Sequence, residues 1–373
     1  MKICCGKERL VEGLSLVGRT VPSRTPLPIL ECILLTAEEN GIRLSANDLE
    51  MSIETSALGA QVYEPGKVAL EAKLFSEIVR KMPGEDILIE SNEKNETVCK
   101  SGKAHFTIRG MPGEEFPVMP DMDHKEGYTI QAQELREMIS KTIFSVATED
   151  TKPVLTGELI QHRENTLSLV AVDGFRISYC KIDLPEIAVK SSKPVSVVVP
   201  AKALRELSRI LPADLEEIVA FYFTDNRIVF DLPQFTFVSR LLEGEFVRYD
   251  QVFNEDFTTN VKIKRQEFLN GLERAVLVAR ENKKSPVKLE IMEQSIVITS
   301  NTEIGKVYDE VYAEVDGNTL AIAFNPRYLI EALRAIEEEQ VIARFTTELS
   351  PCIIRGAEND AAKYLILPLR LRE

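Results

Sequence analysis

Asp121, Asp123 and His124 are the residues of this chain best typed to hold a divalent metal. Carboxylate and imidazole ligands at short spacing are what such a site needs. They follow Pro120 between two periodic segments, where a solvated linker is the expected reading. Glu337, Glu338 and Glu339 form an acidic run at the end of a helical pattern, which marks a helix end rather than a metal cluster. Asp48 and Asp173 could in principle work as a general acid and base, but they occupy equivalent places in a repeat, so each is expected to shape a turn. The histidines are His105, His124 and His162, and none belongs to an H-E-x-x-H pattern. Gly13-Leu14-Ser15-Leu16-Val17-Gly18 has the wrong spacing for a nucleophile elbow, and Gly102-Lys103 lacks the rest of a phosphate-binding loop. The six cysteines form no C-x-x-C pair, which removes zinc-finger and thioredoxin-like chemistry and leaves reduced, mostly buried thiols. No catalytic residue, metal or cofactor is expected.

The elements that would carry a site are written three times. Ile42-Arg43-Leu44-Ser45-Ala46-Asn47-Asp48 is echoed by Leu167-Ser168-Leu169-Val170-Ala171-Val172-Asp173 and by Ile296-Val297-Ile298-Thr299-Ser300-Asn301, at steps of 125 and 129 residues. Ala72-Lys73-Leu74-Phe75, Ala201-Lys202-Ala203-Leu204 and Pro326-Arg327-Tyr328-Leu329 keep nearly the same step, and Gly113-Glu114-Glu115-Phe116-Pro117 is answered by Gly244-Glu245-Phe246-Val247. An internal repeat of this kind governs the fold. A third of 373 residues is about 124, an ordinary domain length. Each third opens on a helical pattern (Leu10, Leu14, Val17; Leu135, Ile139, Thr142; Phe268, Leu272, Ala275) and carries a second helix over 72–82, 201–211 or 326–338. Between and after them run short alternating strands, among them 42–46 and 51–57, then 86–90, 97–100 and 104–109 in the first third and 218–223, 227–231 and 235–241 in the second. The expected class is α+β, with two helices on one side of antiparallel sheets in each domain. The domains are expected at 1–122, 127–252 and 253–373.

The formal net charge is −14, which speaks against tight bulk gripping of nucleic acid but leaves open a basic surface. The second helices are locally basic: Lys73, Arg80 and Lys81 against Glu77; Lys202, Arg205 and Arg209 against Glu206; Arg327 and Arg334 against Glu331. One such helix is an ordinary solvated face. Three equivalent ones point to a shared surface facing an anion. No apolar run reaches membrane-spanning length and no secretory segment opens the chain, so a cytoplasmic location is expected.

Several stretches then become specific: Thr25-Pro26-Leu27-Pro28-Ile29-Leu30, Asn47-Asp48-Leu49-Glu50, Lys152-Pro153-Val154-Leu155-x-Gly157, Ala171-Val172-Asp173-Gly174-Phe175-Arg176-Ile177, Leu242-Glu243-Gly244-Glu245-Phe246 and Leu367-Pro368-Leu369-Arg370-Leu371. In this order and over the whole length the chain resembles the bacterial DNA polymerase III beta subunit family, the sliding clamps. The resemblance implies three repeated DNA-clamp domains forming half of a six-domain ring, a head-to-tail homodimer around duplex DNA bound without regard to sequence. Twelve helices ~10 Å across, set in a circle, leave a hole of ~28 Å, whereas six leave ~9 Å; a duplex is ~20 Å wide. The family acts as a processivity factor for DNA replication and is not an enzyme. Its implied partners are the replicative polymerase alpha subunit, the clamp loader, repair polymerases and other clamp-motif proteins, with no membrane.

Carried over residue by residue, the resemblance places a peptide-binding pocket at Leu155, Val172, Gly174, Phe175, Arg176, Ile177, Val247, Val252, Asn325, Tyr328, Leu365, Leu367, Pro368, Leu369 and Arg370. The apolar end from Leu365 to Leu371 suits anchor-in-pocket binding, and equally suits an edge strand filling its own core. Phe175 stands where many members have His, and Val247 where many have Pro. Candidate DNA contacts are Arg24, Lys73, Lys152 and Lys202, while Glu149 replaces an amide found in some members. Candidate dimer-interface residues are Phe106, Ile108, Leu277 and Val278, each of which could also be core. Two other readings compete: an enzyme of repeated α+β units with a site at a domain junction, and a non-catalytic protein-binding scaffold that does not encircle DNA.

Overall fold

The computed structural model describes the chain except residues 118, 120–126, 149–151, 190–193, 213, 215, 225, 254–255, 279–285, 304 and 371–373. Asp121, Asp123, His124, Glu149 and Leu371 therefore lie outside the described residues. The repeat is explicit in the element order. The first third runs Lys2–Gly6, helix α1 (Lys7–Val17), strands Cys32–Glu38, Gly41–Asn47, Met51–Thr55, Ala60–Glu64 and Gly66–Glu71, helix α2 (Ala72–Lys81), and strands Asp86–Ser91, Glu96–Ser101 and Ala104–Arg109. The middle third runs Gly127–Gln131, α3 (Ala132–Thr142), Gly157–Arg163, Thr166–Val172, Arg176–Asp183, Val195–Pro200, α4 (Ala201–Ile210), Ile218–Phe223, Arg227–Asp231 and Phe235–Arg240. The last runs Thr259–Lys264, α5 (Arg265–Val276), Val287–Ile291, Ser295–Thr302, Gly305–Gly317, Leu320–Phe324, α6 (Pro326–Ala335), Gln340–Phe345, Cys352–Gly356 and Ala362–Ile366. These are three repeats of the α+β class, with antiparallel sheets and a pair of helices each.

Sequence pattern accounts for the elements. The apolar positions read as helical are buried: Leu10, Leu14 and Val17 on α1, Leu135 and Ile139 on α3, Phe268, Leu272 and Ala275 on α5. α1 packs on α2 and α5 on α6. The Glu71 carboxylate accepts from Lys73 N and Leu74 N to start α2, and Asn325 Oδ1 accepts from Arg327 N to start α6. The helix expected over 326–338 stops at Ala335. Ile336 turns extended and buries its side chain, and Glu338 accepts from Glu358 N at 2.6 Å, so the acidic run secures the turn after Cys352–Gly356. Five of the six cysteines are buried and all are free.

Two compact units result: Met1–Ala132 with Ile187–Ser191 and Arg209–Leu241, and Gln133–Glu186 with Ser192–Ser208 and Leu242–Glu373. The first holds a five-stranded and a nine-stranded sheet, the second a twelve-stranded one. The middle repeat is divided because strands pair across repeat boundaries. In the first unit Met51–Thr55 pairs with Phe235–Arg240. In the second, Arg176–Asp183 pairs with Ala362–Ile366.

Candidate functional site

The site in the second unit begins with a turn. Asp173 Oδ1 accepts from Phe175 N at 3.0 Å and Arg176 N at 3.2 Å, while Gly174 takes φ +87° between them. Asp48 makes the same turn in the first repeat, accepting from Glu50 N and Met51 N, with Leu49 at φ +73° where the middle repeat has glycine. The turn presents Phe175 outward, 56% exposed, and sends Arg176 inward. Arg176 joins several elements: Nε donates to Asp173 Oδ2 at 2.9 Å, one terminal nitrogen to Glu331 on α6, and the other to Phe144 O. Its guanidinium lies 4.4 Å from the Tyr328 ring centroid, and Phe175 stacks on Tyr328 at 6.4 Å. A buried arginine with two carboxylates and a carbonyl is fully engaged, so it fixes the geometry and does not offer a free charge.

Around it lies a recess of about 860 Å³ lined by Ile143, Phe144, Val146, Ala147, Lys152, Leu155, Asp173, Gly174, Phe175, Arg176, Arg205, Arg327, Tyr328 and Glu331, among others. Of the residues read as a peptide pocket, Leu155, Gly174, Phe175, Arg176 and Tyr328 line it. Val172, Ile177 and Leu365 are buried, in one apolar cluster with Leu155 and Tyr249. Leu367 is 39% exposed and its N–H donates to Phe175 O; Leu369 N donates to Ala323 O, and Pro368 and Arg370 flank it. Asn325 is spent on the α6 cap. Val247 lines a separate cavity of about 440 Å³ with Gln161, Arg163 and Asp250, and Val252 is exposed nearby. Sequence reading did not bring Phe144, Arg205, Arg327 or Glu331 to the recess. Only the i, i+4 pair of Arg327 and Glu331 gave a local signal, and it is made at 2.7 Å.

Beneath this wall sits Glu158, on Gly157–Arg163 and fully buried. Among the described residues neither carboxyl oxygen has a hydrogen-bond partner within normal geometry, and the neighbouring Thr142 hydroxyl donates to Met138 O at 2.9 Å. Burial pushes its pKa up to about 8, against the opposing pulls of Thr142 and Arg205.

The expected cations are at the surface. Arg24 and Lys73 are exposed in the first unit, Lys152 and Lys202 in the second. Arg80 and Lys81 of α2 and Arg205 and Arg209 of α4 are exposed as well. The interface candidates also have places. Phe106 (42% exposed) and Ile108 lie on Ala104–Arg109, the last strand of the five-stranded sheet. Leu277 (55% exposed) and half-buried Val278 follow α5, and Val278 O accepts from Thr302 Oγ1. Strand Gly305–Gly317 pairs with Ser295–Thr302 over its first part and with Thr259–Lys264 over its last five residues, leaving one edge of the first part without a strand among the described residues.

Comparison with known proteins matches three consecutive domain models of the DNA polymerase III beta subunit: the N-terminal domain over residues 1–120, the central domain over 129–247 and the C-terminal domain over 250–370. A beta sliding clamp from Bacillus subtilis is 34% identical over 382 residues, covering 99% of this chain and 100% of that protein. A solved chain from Eubacterium rectale, assigned to the same subunit, superposes with a TM-score of 0.95 at 39% identity and full coverage of both chains. The crystal structure of the Bacillus subtilis DNA polymerase sliding clamp gives 0.94 at 33%, again over both whole chains.

Proposed function

The chain belongs to the DNA polymerase III beta subunit family, the processivity clamps of replication, and from that premise we propose that it works as a head-to-tail homodimer encircling duplex DNA. The observation that carries this is the pairing rule of its own repeats. The strand before the second half of one repeat (Met51–Thr55, Arg176–Asp183) pairs with the closing strand of the next (Phe235–Arg240, Ala362–Ile366). Applied once more, the rule leaves two strands over: Gly305–Gly317 of the last repeat and Ala104–Arg109 of the first. A second copy, entered head to tail, satisfies both edges twice, and closure abolishes edges that would otherwise invite aggregation. Phe106 and Ile108 on one edge, with Leu277 and Val278 beside the other, supply the apolar contact.

In this reading the domains span 1–122, 127–252 and 253–373. Arg24, Lys73, Lys152 and Lys202 attract the phosphate backbone weakly, which permits sliding because topology and not affinity retains the DNA. The protein tethers the replicative polymerase alpha subunit and docks the clamp loader and repair polymerases on short peptides. The groove that takes them is built on Phe175, Tyr328, Leu155 and Leu367, with Val172, Ile177 and Leu365 beneath. It has no catalytic step of its own and works in the cytoplasm; no helix among the described residues is long and apolar enough to cross a membrane. Sedimentation equilibrium tests the assembly: the reading expects twice the 41.9 kDa chain mass, and a concentration-independent monomer overturns it.

A further inference from the structure

Two arginines hold the wall of the recess at consecutive carbonyls. Arg205 of α4 donates to Ile143 O at 3.3 Å, and Arg176 donates to Phe144 O. Both carbonyls belong to the turn Ile143–Ser145 that follows α3. The residue before that turn, Thr142, is buried and lies against the Glu158 carboxyl, and Arg205 is the cation that acts on the same carboxyl. Arg205 therefore stands between two acceptors. One is a rim carbonyl, held at long range; the other is a buried carboxyl that calls for a cation only when it is ionised. Nothing else around Glu158 can answer that call. Lys141 of α3 is taken by Glu137 at 3.8 Å and by Glu337 at 3.9 Å. The Cys180 thiol on Arg176–Asp183 is pushed up to about 11 by burial and stays neutral. His162, four positions along the same strand, is held neutral because burial lowers its pKa. Val199, opposite Glu158 on the neighbouring strand, is apolar.

We propose that Glu158 is a proton-operated latch on the recess: protonated, it leaves Arg205 on the rim; ionised, it draws Arg205 inward off Ile143 O, and the turn that forms the wall loses one of its two arginine donors. The proposal rests on the peptide groove described above and adds its regulation. Docking selects the protonated form, so a bound peptide drives the carboxyl to take back the proton it gave to solvent. The sign follows: affinity is full below about pH 8 and falls above it, because the form that docks is the one that keeps the proton. Glu158 touches no peptide in this account; it is a positioning residue acting through Arg205.

Isothermal titration calorimetry of the full-length protein at about pH 8, in two buffers of different ionisation enthalpy, decides it. The probe is an acetylated, amidated nonapeptide of Leu, Phe, Gln and Ser, which has no titratable group of its own. Binding takes up about half a proton, because about half of the free protein carries an ionised Glu158 at that pH. Between about pH 7 and about pH 9 the native affinity falls roughly tenfold, with the circular dichroism spectrum unchanged. Glu158→Gln, which cannot ionise, takes up no proton and binds equally at both pH values. Arg205→Gln removes the moving cation and is equally flat. Native binding without proton uptake overturns the latch and leaves the groove standing. So does uptake that persists in Glu158→Gln, or a pH dependence left intact in Arg205→Gln. Failure of the native protein to bind at either pH overturns the groove and the latch with it.

Discussion

Two single residues carry costs that can be measured. Among the described residues no donor reaches the Glu158 carboxyl within hydrogen-bond geometry, and burial raises its folded pKa to about 8 from an ordinary 4.5. The folded state therefore keeps a proton that the unfolded chain has released. The contribution of Glu158 to folding stability is full below about pH 4.5, falls as pH rises toward 8, and is level above that, where the buried carboxylate is charged. Denaturant melts of Glu158→Gln should lose this slope and gain a few kcal/mol over the native protein at pH 8; an unchanged slope assigns the pH dependence elsewhere. Leu49 holds a left-handed conformation that costs a side-chain-bearing residue about 1 kcal/mol. Leu49→Gly should raise stability by about 0.5 kcal/mol after the flexibility of glycine is charged to the unfolded chain, and Leu49→Val should lower it by ~1 kcal/mol or more. A Leu49→Gly protein that melts earlier than the native one contradicts this. The turn role of Asp48 and Asp173 was legible, because a short carboxylate ahead of a strand has few other uses. The Arg176–Glu331 contact was not, since nothing local joins positions 155 residues apart.

At the scale of elements, periodicity gave helices and strands close to their true ends. It gave no partners for the strands, because alternation fixes which face is buried and leaves the neighbour unspecified. The pairing of Met51–Thr55 with Phe235–Arg240 is a tertiary fact, and so is the division of the middle repeat. Once that pairing is known, the two leftover edges become a specific claim. Ile108→Asp or Leu277→Asp places a carboxylate in the proposed apolar contact, where an unpaired buried charge costs several kcal/mol. Either variant should sediment as a folded monomer with the native circular dichroism spectrum. A variant that stays dimeric removes its residue from the interface.

At the scale of the molecule, three copies of one design explain why an acidic chain can serve DNA. With a formal net charge of −14, it is poorly suited to hold a duplex by affinity. In the proposed ring, the exposed cations on the second helices of the repeats supply a weak, sequence-blind attraction, and closure does the retaining. The length, the repeat and the basic helices were all readable from the sequence; the two leftover strand edges on which the proposed closure rests needed coordinates. The most direct measurement is retention on DNA after loading by a clamp loader with ATP. The native protein should co-elute with a nicked circular plasmid at high salt and be lost after a single linearising cut. No retention on the circle, or equal retention on circular and linear DNA, would contradict encirclement and leave a protein-binding scaffold in its place.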